Sequence, residues 1–248
     1  MNRKGKGTDH TAGSNSNPQN ENEFRYYPEY PEGRPDGEVQ EAAGVYLTDP
    51  GLKNGKKQGE YTLEDYLALP YEERWELIDG YLIRMDAPTT EHQVILGNLH
   101  IAFRRCIIDE HCASCKVLFA PTDVQLDMDN RTIVEPDLIV LCDLQKLRKK
   151  RIFGAPDLLV EILSPSTHSK DMLWKNSKYQ KAGVKEYWMV DPEKRKVLVN
   201  LFDKTEGEYR SRLYGFDEEI PVGISRGECR IDFAPIQREL EELYGDES

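Results

Sequence analysis

Short apolar segments, separated by turn residues and by two longer helical patterns, constrain the fold of this chain most strongly. Each apolar segment is too short for a helix of ordinary length, and its flanking Gly, Pro, Asn or Asp residues are typical of strand ends. Together the segments predict the order α, ββ, α, βββ, α, ββ. That order favours an α/β fold: a single domain with a mixed central β-sheet flanked by helices. The predicted strands lie at residues 75–85 (a hairpin), 117–126, 133–142, 157–163, 185–190 and 196–202, and the main helices at 90–109 and 169–182.

Local signals mark the start of this domain. Thr62 precedes a helical pattern that carries Asp65 three residues later, the spacing of a capped helix start. The pair Asp79-Gly80 splits the apolar run 75–85 and predicts a tight hairpin turn, because Gly tolerates positive φ. We expect a β-rich end that reaches Phe233.

Composition divides the 248 residues into three parts. Residues 1–59 are polar or rich in Pro and Gly, which predicts a disordered or loosely ordered arm. Residues 60–236 form the predicted domain, and residues 237–248 an acidic tail. No apolar run approaches the roughly 18 residues of a membrane span. Five cysteines, an odd number, fit a reduced cytoplasmic protein better than a disulfide framework.

Two carboxylates interrupt strands that otherwise read as buried. Asp137 lies in VEPDLIVL, and Glu161 in PDLLVEILS. A buried carboxylate requires a cation, a hydrogen-bond network or water. A partner Lys would satisfy one such residue, but two on successive strands favour a metal. Asp157 is the alternative to Asp137, yet along one strand it lies roughly 13 Å from Glu161, too far to share an ion.

The helix that follows Glu161 carries Asp171, Lys175 and Tyr179 at spacings of four residues. This spacing places the three residues on one helix face. The face either carries a solvated Asp–Lys pair or closes over the carboxylates, with Lys175 supplying positive charge to a phosphate. The short turn after Glu161 makes the second arrangement geometrically feasible.

Several sequence blocks resemble one family between about residues 61 and 235. They are WELIDGYL, the His92-Gln93 helix opening, EPDLIVL, and VEILSPST followed by D, K, Y and GVKEYWMVDP. These blocks are similar to those of the Uma2-type endonucleases, a bacterial branch of the PD-(D/E)XK nuclease superfamily. The resemblance implies a restriction endonuclease-like fold and metal-dependent hydrolysis of phosphodiester bonds, most often in DNA. A degenerate relative that binds nucleic acid or a protein without cleavage is the alternative.

The resemblance also implies roles for individual residues. Asp137 corresponds to the motif Asp, Glu161 to the (D/E) position, and Glu76 to an additional acidic metal ligand. The motif lysine is absent, because its position holds Leu163, and Lys175 is the expected replacement.

The expected cofactor is Mg²⁺, which prefers carboxylate oxygens, with Mn²⁺ as a substitute. His92 is an accessory candidate together with Asp171 and Tyr179, although a His at a helix start often serves only as a satisfied polar residue.

Two further motifs bear on partners. The net charge of −12 argues against tight nonspecific nucleic-acid binding. One basic cluster nevertheless offers phosphate contacts: Lys146, Arg148, Lys149, Lys150 and Arg151.

His111 precedes a CxxC motif, Cys112 to Cys115, but four zinc ligands are not evident and zinc is not expected there. The resemblance allows a homodimer, since many such nucleases pair to cut both strands.

Overall fold

The computed structural model describes residues 52, 55–70, 72–126, 130–164 and 170–245, without the side chains of residues 170–173. The predicted N-terminal arm, residues 1–59, therefore lies almost wholly outside the described residues. In the described part of the chain, no helix is long and apolar enough to cross a membrane.

A six-stranded mixed sheet forms the centre of the fold and confirms the predicted fold class. Its strand order is β10-β9-β8-β7-β5-β3, in which only the β7–β8 pair is parallel. The strands are β1 (Trp75–Ile78), β2 (Tyr81–Arg84), β3 (Lys116–Phe119), β4 (Val124–Gln125), β5 (Leu138–Leu141), β6 (Ile152–Phe153), β7 (Leu158–Ile162), β8 (Glu186–Asp191), β9 (Lys196–Asp203), β10 (Glu208–Gly215), β11 (Glu219–Pro221) and β12 (Arg230–Asp232).

Helices pack on both faces of this sheet. Helix α1 begins as predicted, because the Asp65 side chain accepts a hydrogen bond from the Thr62 N–H at 2.7 Å. Helix α2 continues directly into a π-helical segment. The predicted helix 90–109 is therefore α-helical in its first part and π-helical in its second part. The helices are α1 (Leu63–Leu67), α2 (Thr90–Phe103), the π-helical segment (Arg104–His111), α3 (Lys170–Ala182) and α4 (Ala234–Tyr244).

Alternate residues of the central strands enter two different cores, as the period of two in a strand requires. On one face, Leu158 and Val160 pack with residues of α2 and α4. On the other face, Ile139 and Leu159 pack with Tyr179 of α3. Asp137 lies two residues before Ile139, and Glu161 lies two residues after Leu159. Because side chains two apart in a strand point to the same face, both carboxylates lie on the face that packs against α3.

The β1–β2 hairpin is a separate unit that docks against the domain. Asp79 and Gly80 both have positive φ, 50° and 88°, which confirms the predicted primed turn. Leu77 exchanges two backbone hydrogen bonds with Ile133, of 2.8 and 2.7 Å. These bonds fix β1, and therefore Glu76, relative to the segment that leads into β5.

Two predicted strands are shorter than expected. The segment 117–126 breaks after Phe119, and its second part, β4, pairs with β6 outside the central sheet. Pro121 lies at the break and has no N–H to donate to a ladder. The segment 133–142 begins with isolated bridges at Ile133 and Val134 and pairs continuously only from Leu138.

The expected acidic tail is helical over most of its described length. Residues 237–244 form the greater part of α4, in which Ile236 and Leu240 are buried. Acidic residues of this segment occupy the solvent side of an amphipathic helix whose apolar side packs on α2.

The expectation of reduced cysteines is wrong for four of the five cysteines, which form two disulfides. Cys106 is joined to Cys229, and Cys115 to Cys142, whereas Cys112 is free. The second bond follows from strand register: Lys116 pairs with Leu141, so Cys115 faces Cys142 across the β3–β5 ladder. The first joins residues 123 positions apart, which sequence spacing cannot indicate.

Candidate active site

Asp137 and Glu161 lie beside each other on adjacent strands. The β5–β7 register pairs Leu138 with Val160, and one further step brings Asp137 opposite Glu161. Oδ2 of Asp137 accepts a hydrogen bond from the backbone N–H of Ile162 at 2.7 Å. The structure therefore brings together the two carboxylates that interrupt apolar segments, on one face of the sheet.

Helix α3 contributes two side chains to Glu161. Nζ of Lys175 donates to Oε1 of Glu161 at 3.1 Å, and the Tyr179 hydroxyl donates to the same oxygen at 2.6 Å. Their spacing of four residues gives both side chains one helix face, as the sequence indicates. Lys175 thus lies beside Glu161, whereas the chain has Leu163 at the motif position. Asp171 belongs to the same helix, but its side chain lies outside the described residues.

Glu76 completes the group from the hairpin. Its carboxylate lies 2.9 Å from Lys175 Nζ and accepts the backbone N–H of Glu135 at 2.8 Å. Glu135 in turn forms a salt bridge of 2.8 Å with Arg74. Sequence reasoning missed Glu135 and Arg74. The sequence feature that could have indicated Glu135 is its position in VEPD, two residues before Asp137.

Burial and the neighbouring charges both shift the pKa values of Glu161 and Lys175. Burial, together with the carboxylates of Asp137 and Glu76, raises the pKa of Glu161 to about 7, and Lys175 and the Tyr179 hydroxyl act in the opposite direction. Burial acts to lower the pKa of Lys175, but the carboxylates of Glu161 and Glu76 raise it well above its usual range. Lys175 is consequently an ammonium group at every physiological pH.

His92, at the start of α2, contacts the second carboxylate. Its Nε2 lies 3.1 Å from Oδ2 of Asp137, and the side chain is nearly buried. Among the described residues, His92 Nδ1 is buried without a hydrogen-bond partner. The predicted accessory role thus has a geometric basis: the imidazole and the Ile162 N–H both orient one oxygen of Asp137.

Two carboxylate oxygens at this cluster are of the chemical type that a hard divalent cation prefers. Lys175 and Tyr179 use Oε1 of Glu161, and His92 and Ile162 use Oδ2 of Asp137. Within the described part of the chain, the other oxygen of each carboxylate accepts no hydrogen bond. These two oxygens come from adjacent strands and are the kind of ligand that Mg²⁺ prefers. Lys175 itself fills the space between Glu161 and Glu76.

The alternative carboxylate, Asp157, has another role. Its Oδ2 accepts the Cys142 N–H at 2.7 Å, and its Oδ1 pairs with Lys185 at 2.5 Å. The residue joins the start of β7 to the end of β5. This arrangement supports the choice of Asp137 as the neighbour of Glu161.

The predicted basic cluster lies on the loop between β5 and β6, and its members differ in availability. Lys146 donates to the Ala155 carbonyl at 2.7 Å, and Arg148 to the Gln145 carbonyl. Arg151 is half-buried, with Nη1 unpartnered among the described residues. Lys149 and Lys150 are exposed.

The mixed central sheet with helices on both faces places the chain in the class of restriction endonuclease-like folds. The sequence pattern described as "Uma2: Putative restriction endonuclease" matches residues 63–227. The chain belongs to the Uma2 family.

The fold is similar to that of several solved chains, among them "a putative nuclease belonging to DUF820 from Anabaena variabilis ATCC 29413". The two chains superpose with a TM-score of 0.57 at 20% identity, over 71% of this chain and 96% of that one. No curated protein sequence matches the chain.

Proposed function

We propose that this protein is a metal-dependent endonuclease that hydrolyses phosphodiester bonds in DNA. The observation that carries the proposal is the pair Asp137 and Glu161, each with one oxygen held by the protein and one oxygen without a partner among the described residues. Mg²⁺ is the proposed ion, and Mn²⁺ its substitute. When bound, such an ion acidifies water and neutralises charge on the phosphate.

The protein residues have separate proposed roles. Asp137 and Glu161 hold the ion, and Glu76 contributes to the same negative potential through its contact with Lys175. Because Lys175 stays protonated, it stabilises the negative charge that develops on the phosphate and does not act as a general base. Tyr179 and His92 orient Glu161 and Asp137 by the contacts described above.

The proposed substrate contacts come from the basic loop. We propose that Lys149 and Lys150, which are exposed, contact the DNA backbone, a contact that positions a duplex without reading its sequence. Lys146 and Arg148 donate to backbone carbonyls, and Arg151 is half-buried, so we expect smaller contributions from these three. A homodimer stays a prediction that light scattering tests. The cytoplasmic location also stays a prediction, and the two disulfides remove the cysteine argument for it.

Cleavage of supercoiled plasmid with Mg²⁺, with and without a chelator, tests the proposal. Asp137→Asn and Glu161→Gln should each reduce cleavage about 100-fold or more, because a lost ligand removes several kcal/mol of transition-state stabilisation. Asp157→Asn is the matched control: it changes the same residue type in the related PDLLV sequence and should retain cleavage. Equal rates for wild type, Asp137→Asn and Glu161→Gln would contradict the assignment.

One observation favours the non-cleaving alternative. Lys175 bridges Glu161 and Glu76 and already neutralises part of their charge. A degenerate module of this kind would show no calorimetric Mg²⁺ or Mn²⁺ binding that depends on Asp137 and Glu161. Metal binding that depends on the two carboxylates, together with cleavage, supports the endonuclease. DNA binding with neither metal binding nor cleavage supports the non-cleaving module.

A further inference from the structure

A second group of metal-ligating side chains lies outside the carboxylate cluster, where the π-helical segment meets β12. Cys106, His111 and Cys229 each place a ligand atom within 4.8 Å of the others. Cys106 and Cys229 belong to the core on the α2 and α4 face, whereas Glu161 faces α3. The group is therefore independent of the proposed cleavage site.

The π-helical geometry explains how this group forms. In an α-helix, residues five apart point roughly 140° away from each other. A π-helix instead closes hydrogen bonds over five residues and brings such residues to the same side. The Cys112 N–H donates to the Ile107 carbonyl at 2.6 Å, a bond of this type. Cys106 and His111, also five residues apart, consequently both face Cys229.

The donors and their burial suit zinc. Two thiolates and an imidazole are typical zinc ligands, and a tetrahedral ion holds its sulfur ligands roughly 3.8 Å apart. The Cα atoms of Cys106 and Cys229 are 5.6 Å apart, so side-chain rotation alone can give this separation once the disulfide is open. Both cysteines are buried, whereas the His111 side chain is 26% exposed, which leaves an entry path for the ion.

A carboxylate accompanies the histidine. Oε2 of Glu228 lies 3.7 Å from Nδ1 of His111. Metal-bound histidines commonly donate their second ring N–H to a carboxylate, which fixes the orientation of the ring. Glu228 directly precedes Cys229, so the same segment before β12 supplies one ligand and a carboxylate beside another.

We propose that reduction of the Cys106–Cys229 disulfide by a dithiol creates a zinc site formed by Cys106, His111 and Cys229, with water as the fourth ligand. The dithiol gives two electrons and two protons: the protein S–S bond breaks, two thiols form, and the dithiol becomes a disulfide. Zinc then replaces the two thiol protons. The chain is cross-linked between the π-helical segment and β12 in both states, by sulfur when oxidised and by metal when reduced.

This ligand set differs from the CxxC motif that the sequence suggests. Cys115 is joined to Cys142, and Cys112 is not in the group of three. Only His111 is common to both sets. Cys112 therefore provides a control that separates the two assignments.

Cobalt binding to the full-length protein tests the proposal, because thiolate-to-Co²⁺ charge transfer reports cysteine ligation and not carboxylate ligation. The protein is treated with a dithiol, freed of it under anaerobic conditions and titrated with Co²⁺, which Zn²⁺ then displaces. Reduced wild type should bind one equivalent with the charge-transfer band, and oxidised protein should show no band. An equal band in oxidised protein, or a disulfide that the dithiol does not open, would overturn the proposal.

Matched variants locate the site. The double variant Cys106→Ser with Cys229→Ser should lose the band, whereas Cys112→Ser, and Cys115→Ser with Cys142→Ser, should keep it. His111→Asn should weaken binding at least about tenfold, and His100→Asn, a change on the neighbouring helix, should not. Glu228→Gln should weaken binding by about tenfold or more, as lost outer partners of zinc histidines do. Survival of the band without Cys106 and Cys229, or its loss in Cys112→Ser, refutes the assignment; circular dichroism checks that each variant is folded.

Discussion

Tyr179 and Lys175 donate to the same oxygen of Glu161, and both favour the ionised form of that carboxylate. Burial raises the pKa of Glu161 to about 7, while Lys175 and the Tyr179 hydroxyl hold it below the value that burial and the neighbouring carboxylates alone would produce. Only the ionised carboxylate is a good ligand for Mg²⁺. The proposed activity therefore depends on pH near neutrality.

Tyr179→Phe should move the pH profile of Mg²⁺-dependent cleavage to higher pH. The hydroxyl stabilises the ionised form of Glu161, so its removal raises the pKa of that carboxyl further above its ordinary value. Cleavage should then appear at a higher pH than in wild type, with less activity below pH 7. The measurement is the initial rate against pH at saturating Mg²⁺.

Tyr187→Phe is the matched control for this change. The Tyr187 ring packs on Tyr179 at 4.9 Å between centroids, but its buried hydroxyl has no hydrogen-bond partner in the described part of the chain. Its removal should leave the midpoint of the profile in place. A midpoint unchanged in Tyr179→Phe, or moved equally in both variants, would contradict the role given to the Tyr179 hydroxyl.

Sequence predicted part of this residue group. Asp137 and Glu161 were visible because a carboxylate in an apolar strand is costly, and Lys175 because helical spacing relates it to Tyr179. Glu135 and Arg74 were missed, since their role depends on a backbone N–H that reaches Glu76 only after the hairpin has docked.

At the scale of elements, the β1–β2 hairpin carries Glu76 to the site. Gly80 has φ of 88°, and a Cβ there would lie 2.6 Å from the Gly59 carbonyl oxygen. We expect Gly80→Ala to lower the free energy of unfolding by about 1–3 kcal/mol, through strain and through displacement of this backbone contact. Because Glu76 lies on β1, cleavage should fall as well. Urea unfolding with a parallel cleavage assay measures both effects.

Gly97→Ala is the control for that change. Gly97 lies within α2, and a Cβ there meets nothing within 4 Å. Ala is the better helix former, so stability should rise by about 0.5–1 kcal/mol. If Gly80→Ala proved as stable as Gly97→Ala, the hairpin turn would not require glycine.

Element types were easier to predict than element limits. The hairpin and both main helices follow from periodicity and turn chemistry. The break at Pro121 and the π-helical segment were not predicted, because each depends on how the segment packs against others. The two disulfides depend on strand register and on tertiary contact, which one sequence does not reveal.

At the scale of the whole molecule, α4 closes the core that lies between α2 and the sheet. Leu240 is fully buried in this core, whereas Leu243, one turn away, is 53% exposed. We expect Leu240→Ala to lower the free energy of unfolding by about 2–5 kcal/mol, because a cavity replaces packed side-chain atoms. Thermal or urea unfolding measures the change.

Leu243→Ala makes the same chemical change on the solvent side of the helix and should alter stability by less than about 0.5 kcal/mol. Equal losses of stability in the two variants would contradict the packing of α4. Acidic composition does not reveal this packing, because the acidic residues of the segment outnumber the few apolar side chains that pack inward.

The contact between Glu76 and Lys175 joins residues 99 positions apart. The proposed site therefore has no complete local precursor: a hairpin, two adjacent strands and a later helix must all be docked before it exists. During synthesis on the ribosome, a nascent chain that ends before α3 carries the acidic residues but neither Lys175 nor Tyr179. If the proposed site is correct, its full set of side chains is present only in the finished tertiary structure, and an incomplete chain lacks it.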